Sequence, residues 1–124
     1  MSTVKANDIT NVTGGIPTVK SQQLIPTAWV NFNGTGTVAI RDSEGVSSIT
    51  DLAVGKFTVD FTTTMASVNY CVQYNTELIS SWDNSFDNVE MGASNTSSVR
   101  VSHQELSNFI DSAVNMVIVM GGQS

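Results

Sequence analysis

Apolar and polar residues alternate along several segments of the chain, and the clearest segment is Lys56–Thr62. Apolar residues occupy every second position there, from Phe57 to Phe61, with polar residues between them. A period of two places the apolar side chains on one side of a β-strand and leaves Asp60 on the other. The segment therefore predicts a strand with one side on a core and the other facing water or a partner.

The same analysis predicts further short strands separated by polar turns. They are Ala28–Phe32, Thr37–Arg41, Val46–Thr50, Val68–Tyr74, Val99–Ser102 and Val114–Met120. The last is almost continuously apolar, so we expect it to be buried on both faces, as a central strand or as a subunit contact. Asp42–Gly45 and Gly92–Ser98 are interpreted as a turn and a loop, and Leu106, Phe109 and Ile110 as one helical turn. The pattern predicts an all-β fold, an antiparallel β-sandwich.

Residues 1–26 differ from the remainder, because they are polar, are interrupted by Gly14-Gly15 and Pro17, and contain too few apolar residues for a core of their own. We interpret them as an extended N-terminal arm that lies on a neighbouring subunit or a larger particle. Residues 27–124 then form the sandwich domain. The side chains predicted to attach the arm are Val4, Ile9, Val12, Ile16 and Pro17.

Composition and charge exclude several classes of function. The 124-residue chain has 5 Lys or Arg and 11 Asp or Glu, and its formal net charge is −6. Five cations do not provide the basic patch that nucleic-acid binding requires. No run of 18 apolar residues is present, so we predict no membrane insertion. One domain is expected at this length.

Candidate catalytic and metal-binding residues are few. Cys71, the single cysteine, lies in an apolar run and is interpreted as a small buried residue. His103 and Glu105 are two residues apart and can share one side of a strand, but a zinc site needs further ligands that the sequence does not supply. We interpret His103 as a surface histidine. The sequence predicts no enzyme, no cofactor and no metal.

A polar stretch between two predicted strands contains aromatic and acidic residues together. Trp82 and Phe86 are either packed on the core or displayed for contact with a partner. Asp83, Asp87 and Glu90 are the densest acidic group, but the spacing of an EF-hand calcium loop is absent. Packing of the two rings on the core is the favoured interpretation. If they are displayed instead, Trp82, Asp83, Phe86 and Asp87 form the candidate surface-contact loop.

The predicted strands and turns, taken in order, resemble a β-rich module of bacteriophage tail-fibre proteins. The similarity covers residues 27–121 and is most specific in its first half, whereas residues 73–96 match nothing in the module. The segments that carry it are Ala28–Arg41, Val46–Asp51, Lys56–Thr63, Ala66–Tyr70, Ser98–Val101 and Val114–Gly121.

The resemblance implies a structural protein of the phage virion, expected to be a homotrimer and attached by its N-terminal arm. Its partners would be further copies of itself, other tail or capsid proteins and a host surface glycan or protein contacted through loops. It would lie on the particle exterior after assembly in the host cytoplasm, a reducing compartment that suits a chain without disulfides. Two alternatives remain open: a capsid decoration protein, and an independent carbohydrate-binding or enzymatic domain.

Overall fold

A computed structural model of the chain describes residues 2–14, 16–19, 22–23, 25–77, 87–105 and 107–123. These residues contain strands and no helix, so none of them forms a helix able to cross a membrane. The prediction of an all-β chain is confirmed. The strands are β1 (Thr18–Val19), β2 (Gln22–Gln23), β3 (Ala28–Asn33), β4 (Ala39–Glu44), β5 (Val46–Ala53), β6 (Lys56–Phe61), β7 (Tyr70–Thr76), β8 (Asp87–Ser94), β9 (Ser98–Glu105), β10 (Asn108–Phe109) and β11 (Asn115–Gly121).

Two antiparallel sheets make up most of the described chain, as expected for a β-sandwich. The first sheet has the order β4-β3-β11-β7, with Val117 of β11 opposite Val30 on one side and Tyr74 on the other. In the second sheet, β9 lies between β8 and β6, and β5 follows β6. The short β10 pairs with the same end of β9 as β8 does, so it occupies the opposite edge, in line with β6. β1 and β2 pair only with each other.

The core lies between the two sheets and follows from the alternation seen in the sequence. In β6, Phe57, Val59 and Phe61 are buried, as predicted. The Phe57 ring meets the ring of Phe32 in the first sheet edge-to-face, with 5.2 Å between the centroids. Each such side chain contributes about 1.5–3 kcal/mol on full burial, so these alternating positions hold the two sheets together.

The chain passes from the first sheet to the second at Gly45, between β4 and β5. Gly45 has φ of +71°, and a Cβ there would lie 2.8 Å from the carbonyl oxygen of Thr27. A residue with a side chain is therefore strained at this corner. The predicted turn at Asp42–Gly45 is wrong in its extent, because β4 continues through Glu44 and the direction changes at Gly45 alone.

Two further local predictions are wrong. The segment with Leu106, Phe109 and Ile110 is not a helical turn: Leu106 is outside the described residues, and Phe109 belongs to β10. Pairing with β9 decides this, since the Ile110 amide donates to the His103 carbonyl. The loop predicted at Gly92–Ser98 is shorter, because β8 continues through Ser94.

Candidate functional site

An apolar groove of about 250 Å³ lies on the outer face of the first sheet, the side turned away from the core. Met116 and Ile118 of β11 are 40% and 45% exposed there. Trp29 of β3 lies directly opposite Ile118. The residues that line the groove are Pro26, Trp29, Val30, Asn31, Met116, Val117 and Ile118.

The groove exists because β11 is apolar at both alternating sets of positions. Val117 and Val119 point into the core, so the residues between them point outward. The central position predicted for this strand is confirmed by its pairing with β3 and β7. Burial on both faces is not found within the single chain, since Met116 and Ile118 are exposed. The outward-facing residues of β11 therefore form a second apolar surface, which the described part of the chain does not cover.

Polar residues border the groove on both sides. Residues directly opposite each other in neighbouring strands share one face of a sheet. Asp42 and Glu44 of β4 lie opposite Asn31 and Trp29, with Arg41 beside them donating to the Asn31 carboxamide oxygen over 3.3 Å. On β7, the other border consists of the uncharged amides Gln73 and Asn75. The groove thus has one charged border with two carboxylates and one neutral border.

The predicted arm is divided by its contact with the sandwich. Val4, Ile9 and Val12 are 86%, 68% and 102% exposed, and residues 2–14 belong to no strand. Ile16 and Pro17 are half-buried. Three of the five predicted attachment residues are therefore exposed apolar side chains on the single chain.

The point where the arm meets the sandwich is a cavity of about 200 Å³. Ile16 lines it together with Thr27, Phe61 and Met65. A few residues further on, the Gln23 side chain accepts a hydrogen bond from the Gly121 amide at 3.2 Å. These contacts fix the base of the arm at one end of the sandwich.

Most of the predicted surface-contact loop lies outside the described residues. This applies to Trp82, Asp83 and Phe86, while Asp87 is the first residue of β8 and pairs with Glu105. The start of the loop is fixed, because the Glu77 carboxylate accepts hydrogen bonds from the Ala113 and Val114 amides at 2.9 and 3.2 Å. The loop therefore begins from a defined point beside β11.

His103 is not a surface histidine, and that prediction is wrong. It is fully buried, and its Nδ1 shares a hydrogen bond of 2.8 Å with the hydroxyl of the buried Ser112. Asn115 donates to the Ser112 carbonyl at 2.8 Å and accepts from the Tyr74 hydroxyl at 2.8 Å. These four residues, linked through both the hydroxyl and the carbonyl of Ser112, form a buried polar network that joins β9 of the second sheet to β7 and β11 of the first. His103 is two residues from Val101, and Asn115 is two residues from Val117. This spacing is the sequence signal that could have located both residues in the core.

The Ser112–His103 pair has the spacing of a nucleophile and its general base. Both side chains are 0% exposed, however, so no substrate reaches the hydroxyl in this conformation. The hydrogen bonds satisfy polar groups that would otherwise be costly to bury. The network is therefore a structural connection between the sheets.

Burial also changes the acidity of Tyr74. Desolvation, with a smaller effect of the Asp111 charge, raises the pKa of the Tyr74 hydroxyl well above its usual value. A neutral hydroxyl can donate to Asn115, whereas a tyrosinate cannot. The network thus depends on Tyr74 remaining protonated.

Cys71 is exposed, contrary to the prediction of a buried thiol. It lies in β7, as expected for a strand residue, but on the side opposite to the buried Tyr74. Its neighbour across the sheet is Met120 of β11. The thiol therefore lies on the same outer face as the groove, one strand away from it.

Metal ligands do not cluster in the part of the chain that the structure describes. No three His, Cys, Asp or Glu side chains there are close enough together to hold an ion. The acidic side chains of Asp83, Asp87 and Glu90 fall outside that description.

Comparisons of this chain with protein-family models, with characterised proteins and with solved structures give no match.

Proposed function

We propose that the chain is a structural protein of a bacteriophage virion, of tail-fibre type, which acts as a homotrimer on the particle exterior. The observation that carries the proposal is the uncovered apolar groove on the first sheet. Apolar patches of this kind on a folded domain mark surfaces that are buried on association. The resemblance of residues 27–121 to the tail-fibre module adds the type of assembly.

The described surface favours association over chemistry. The groove lies on paired strands of a sheet, with Met116 and Ile118 held in register by hydrogen bonds to β3 and β7. The nearest candidate for catalysis, Ser112 with His103, is sealed in the core. An exposed apolar surface on paired strands, together with a polar network inaccessible to substrate, supports a binding role in a larger assembly.

The loop between β7 and β8 is the proposed contact with a host surface glycan or protein. Aromatic rings such as those of Trp82 and Phe86 stack on sugar rings and fill shallow protein pockets. Trp82→Ala should lower adsorption of the phage to its host while the protein is still incorporated into particles. Unchanged adsorption at normal incorporation would remove this role from the loop.

The second candidate is a capsid decoration protein, and the exposed apolar residues of the arm favour it. Residues 2–14 carry Val4, Ile9 and Val12 outside the sandwich. Such a segment can lie across neighbouring capsid subunits and add many small contacts.

Locating the protein on purified phage particles tests both candidates. Gold-labelled antibody raised against the recombinant chain should bind at the tail, and antibody absorbed with the purified chain is the control. Label on the capsid faces would establish the decoration role instead. Absence of the chain from purified particles, measured by mass spectrometry, would refute both.

A further inference from the structure

The arm and the groove are two uncovered apolar surfaces of the same chain. Residues 2–14 contribute no side chain to the lining of the groove. Val4 and Ile9 are exposed, and so are Met116 and Ile118. Residues 2–14 therefore do not cover the groove of their own chain, and both surfaces are available to another molecule.

Charge favours the arm over the sandwich as the occupant of the groove. Residues 1–26 hold two lysines and one aspartate, a net charge of +1, and the remaining residues carry −7. Two sandwiches brought together face to face therefore repel each other, whereas an arm is attracted to a sandwich. Lys5 lies next to Val4, and the β4 border of the groove holds two carboxylates, Asp42 and Glu44, against the single cation Arg41.

Length and position agree with this choice. An extended segment covers about 3.3–3.6 Å per residue, so residues 2–10 reach roughly 30 Å. The seven residues of β11 span about 23 Å at 3.3 Å per residue. Gln23, at the base of the arm, donates to the Thr27 hydroxyl over 3.0 Å, and the adjacent Pro26 lines the groove. The base of the arm and the groove therefore lie close together.

We propose that residues 2–12 of one chain bind in the outer-face groove of a second copy of the same chain. Val4 packs against Trp29, Met116 and Ile118 of the neighbour. Each chain donates one arm and accepts one, a head-to-tail contact that closes into a ring in a trimer. The inference rests on the self-association in the proposed function and identifies the contact that produces it.

Cross-linking through Cys71 tests the contact with purified protein. Cys71 is the single cysteine of the chain, is exposed, and lies one strand from the groove. Ala6→Cys and Thr10→Cys each place a second thiol on the arm. Under mild oxidation at micromolar concentration, we expect disulfides between chains, seen as covalent dimers and larger species on a non-reducing gel. The same arm variants combined with Cys71→Ser are the control and should yield no bond between arm and face.

Three results would overturn the proposal. A disulfide formed within one chain, which leaves the mass of the monomer, would place the arm on its own sheet. Cross-linking of the parent protein through Cys71 alone would place two sandwiches face to face. A self-associating protein in which neither arm thiol reacts with Cys71 would assign the groove to another occupant.

Matched variants test the energetics of the same contact. Ile118→Thr alters a groove residue that is 45% exposed, and Leu52→Thr alters a residue on β5 of the other sheet that is 46% exposed. We expect Ile118→Thr to weaken self-association about 10-fold or more, equivalent to about 1.4 kcal/mol, and deletion of residues 2–12 to have the same effect. Leu52→Thr should leave self-association unchanged. Sedimentation velocity measures this, and equal effects of the two threonine variants would contradict the proposal. These experiments use the purified chain. A negative result would therefore reject the contact between arm and groove, and the virion assignment would still be tested separately by labelling of phage particles.

Discussion

Removing the Tyr74 hydroxyl tests whether the buried polar network joins the two sheets. Tyr74→Phe keeps the ring and deletes one oxygen. Tyr74 is 3% exposed, and its hydroxyl donates to Asn115, which is 0% exposed, over 2.8 Å. The change therefore leaves the Asn115 carboxamide oxygen inside the protein without that donor.

The expected loss of stability follows from this burial. A buried polar group left without its partner costs about 1–3 kcal/mol, because its lost hydration is not replaced. For a domain of this length each kcal/mol lowers the midpoint of thermal unfolding by about 4 °C. Tyr70→Phe is the matched control, since the Tyr70 hydroxyl donates at the half-buried periphery to the carbonyls of Asn95 and Ser98. Its loss should cost about 0.5–1.5 kcal/mol, because the carbonyls there are more accessible to water.

Urea unfolding followed by tryptophan fluorescence measures both variants on one scale. We expect a lower midpoint for Tyr74→Phe with an unchanged slope, since the change does not alter the surface exposed on unfolding. Combining Tyr74→Phe with Asn115→Ala should cost less than the sum of the two single changes, because the residues share one hydrogen bond. A loss below about 0.5 kcal/mol in Tyr74→Phe, or strict additivity in the double variant, would refute the structural role of the network.

Three further predictions concern pH, backbone and thiol exposure. Because burial raises the pKa of Tyr74, the unfolded chain loses this proton first. Stability should therefore fall as pH rises above about 10, and it should fall less in Tyr74→Phe. A difference between the two urea midpoints that stays constant across that range would contradict this. At Gly55 (φ +65°) an added Cβ would lie 2.6 Å from the backbone nitrogen of Ile110, so Gly55→Ala should lower the free energy of unfolding in urea by about 2–5 kcal/mol. At Gly36 (φ +62°) an added Cβ would meet open space, so Gly36→Ala should lower it by only about 1–2 kcal/mol. Cys71 should react with a thiol reagent in the native protein as fast as in urea when the protein is dilute enough to be monomeric, and protection under those conditions would show a covered face.

The strands that could be predicted from sequence are those with one buried face. In β3, β6 and β9, apolar residues recur at every second position, and burial of that set leaves one register. The sequence analysis did not predict β8, because its segment consists mostly of polar and small residues without a clear alternation. It forms a strand because it pairs with the edge of β9. β10 was misjudged in the same way, as pairing at Gln104 and Glu105 outweighed a short helical pattern.

Single residues went wrong where the neighbouring sheet decides the environment. The alternation of side chains along β9 indicates that His103 points inward, but the general preference of histidine for the surface suggested the contrary. Ser112 supplies a hydrogen-bond partner for the buried ring, and it lies 9 residues away in the chain. Cys71 was misjudged because apolar neighbours in sequence were taken for neighbours in space.

The sequence alone determined the all-β class, the main strands and the inward sets of Phe and Val residues, because a period of two is a local property of the chain. It also determined that β11 is apolar on both sides. Tertiary structure decided what those sides contact: one meets β6 and β9 through the core, and the other forms a groove next to Trp29. That outcome depends on β3 and β7 flanking β11, through contacts between residues 39 or more positions apart. Alternation along a single strand does not encode such contacts.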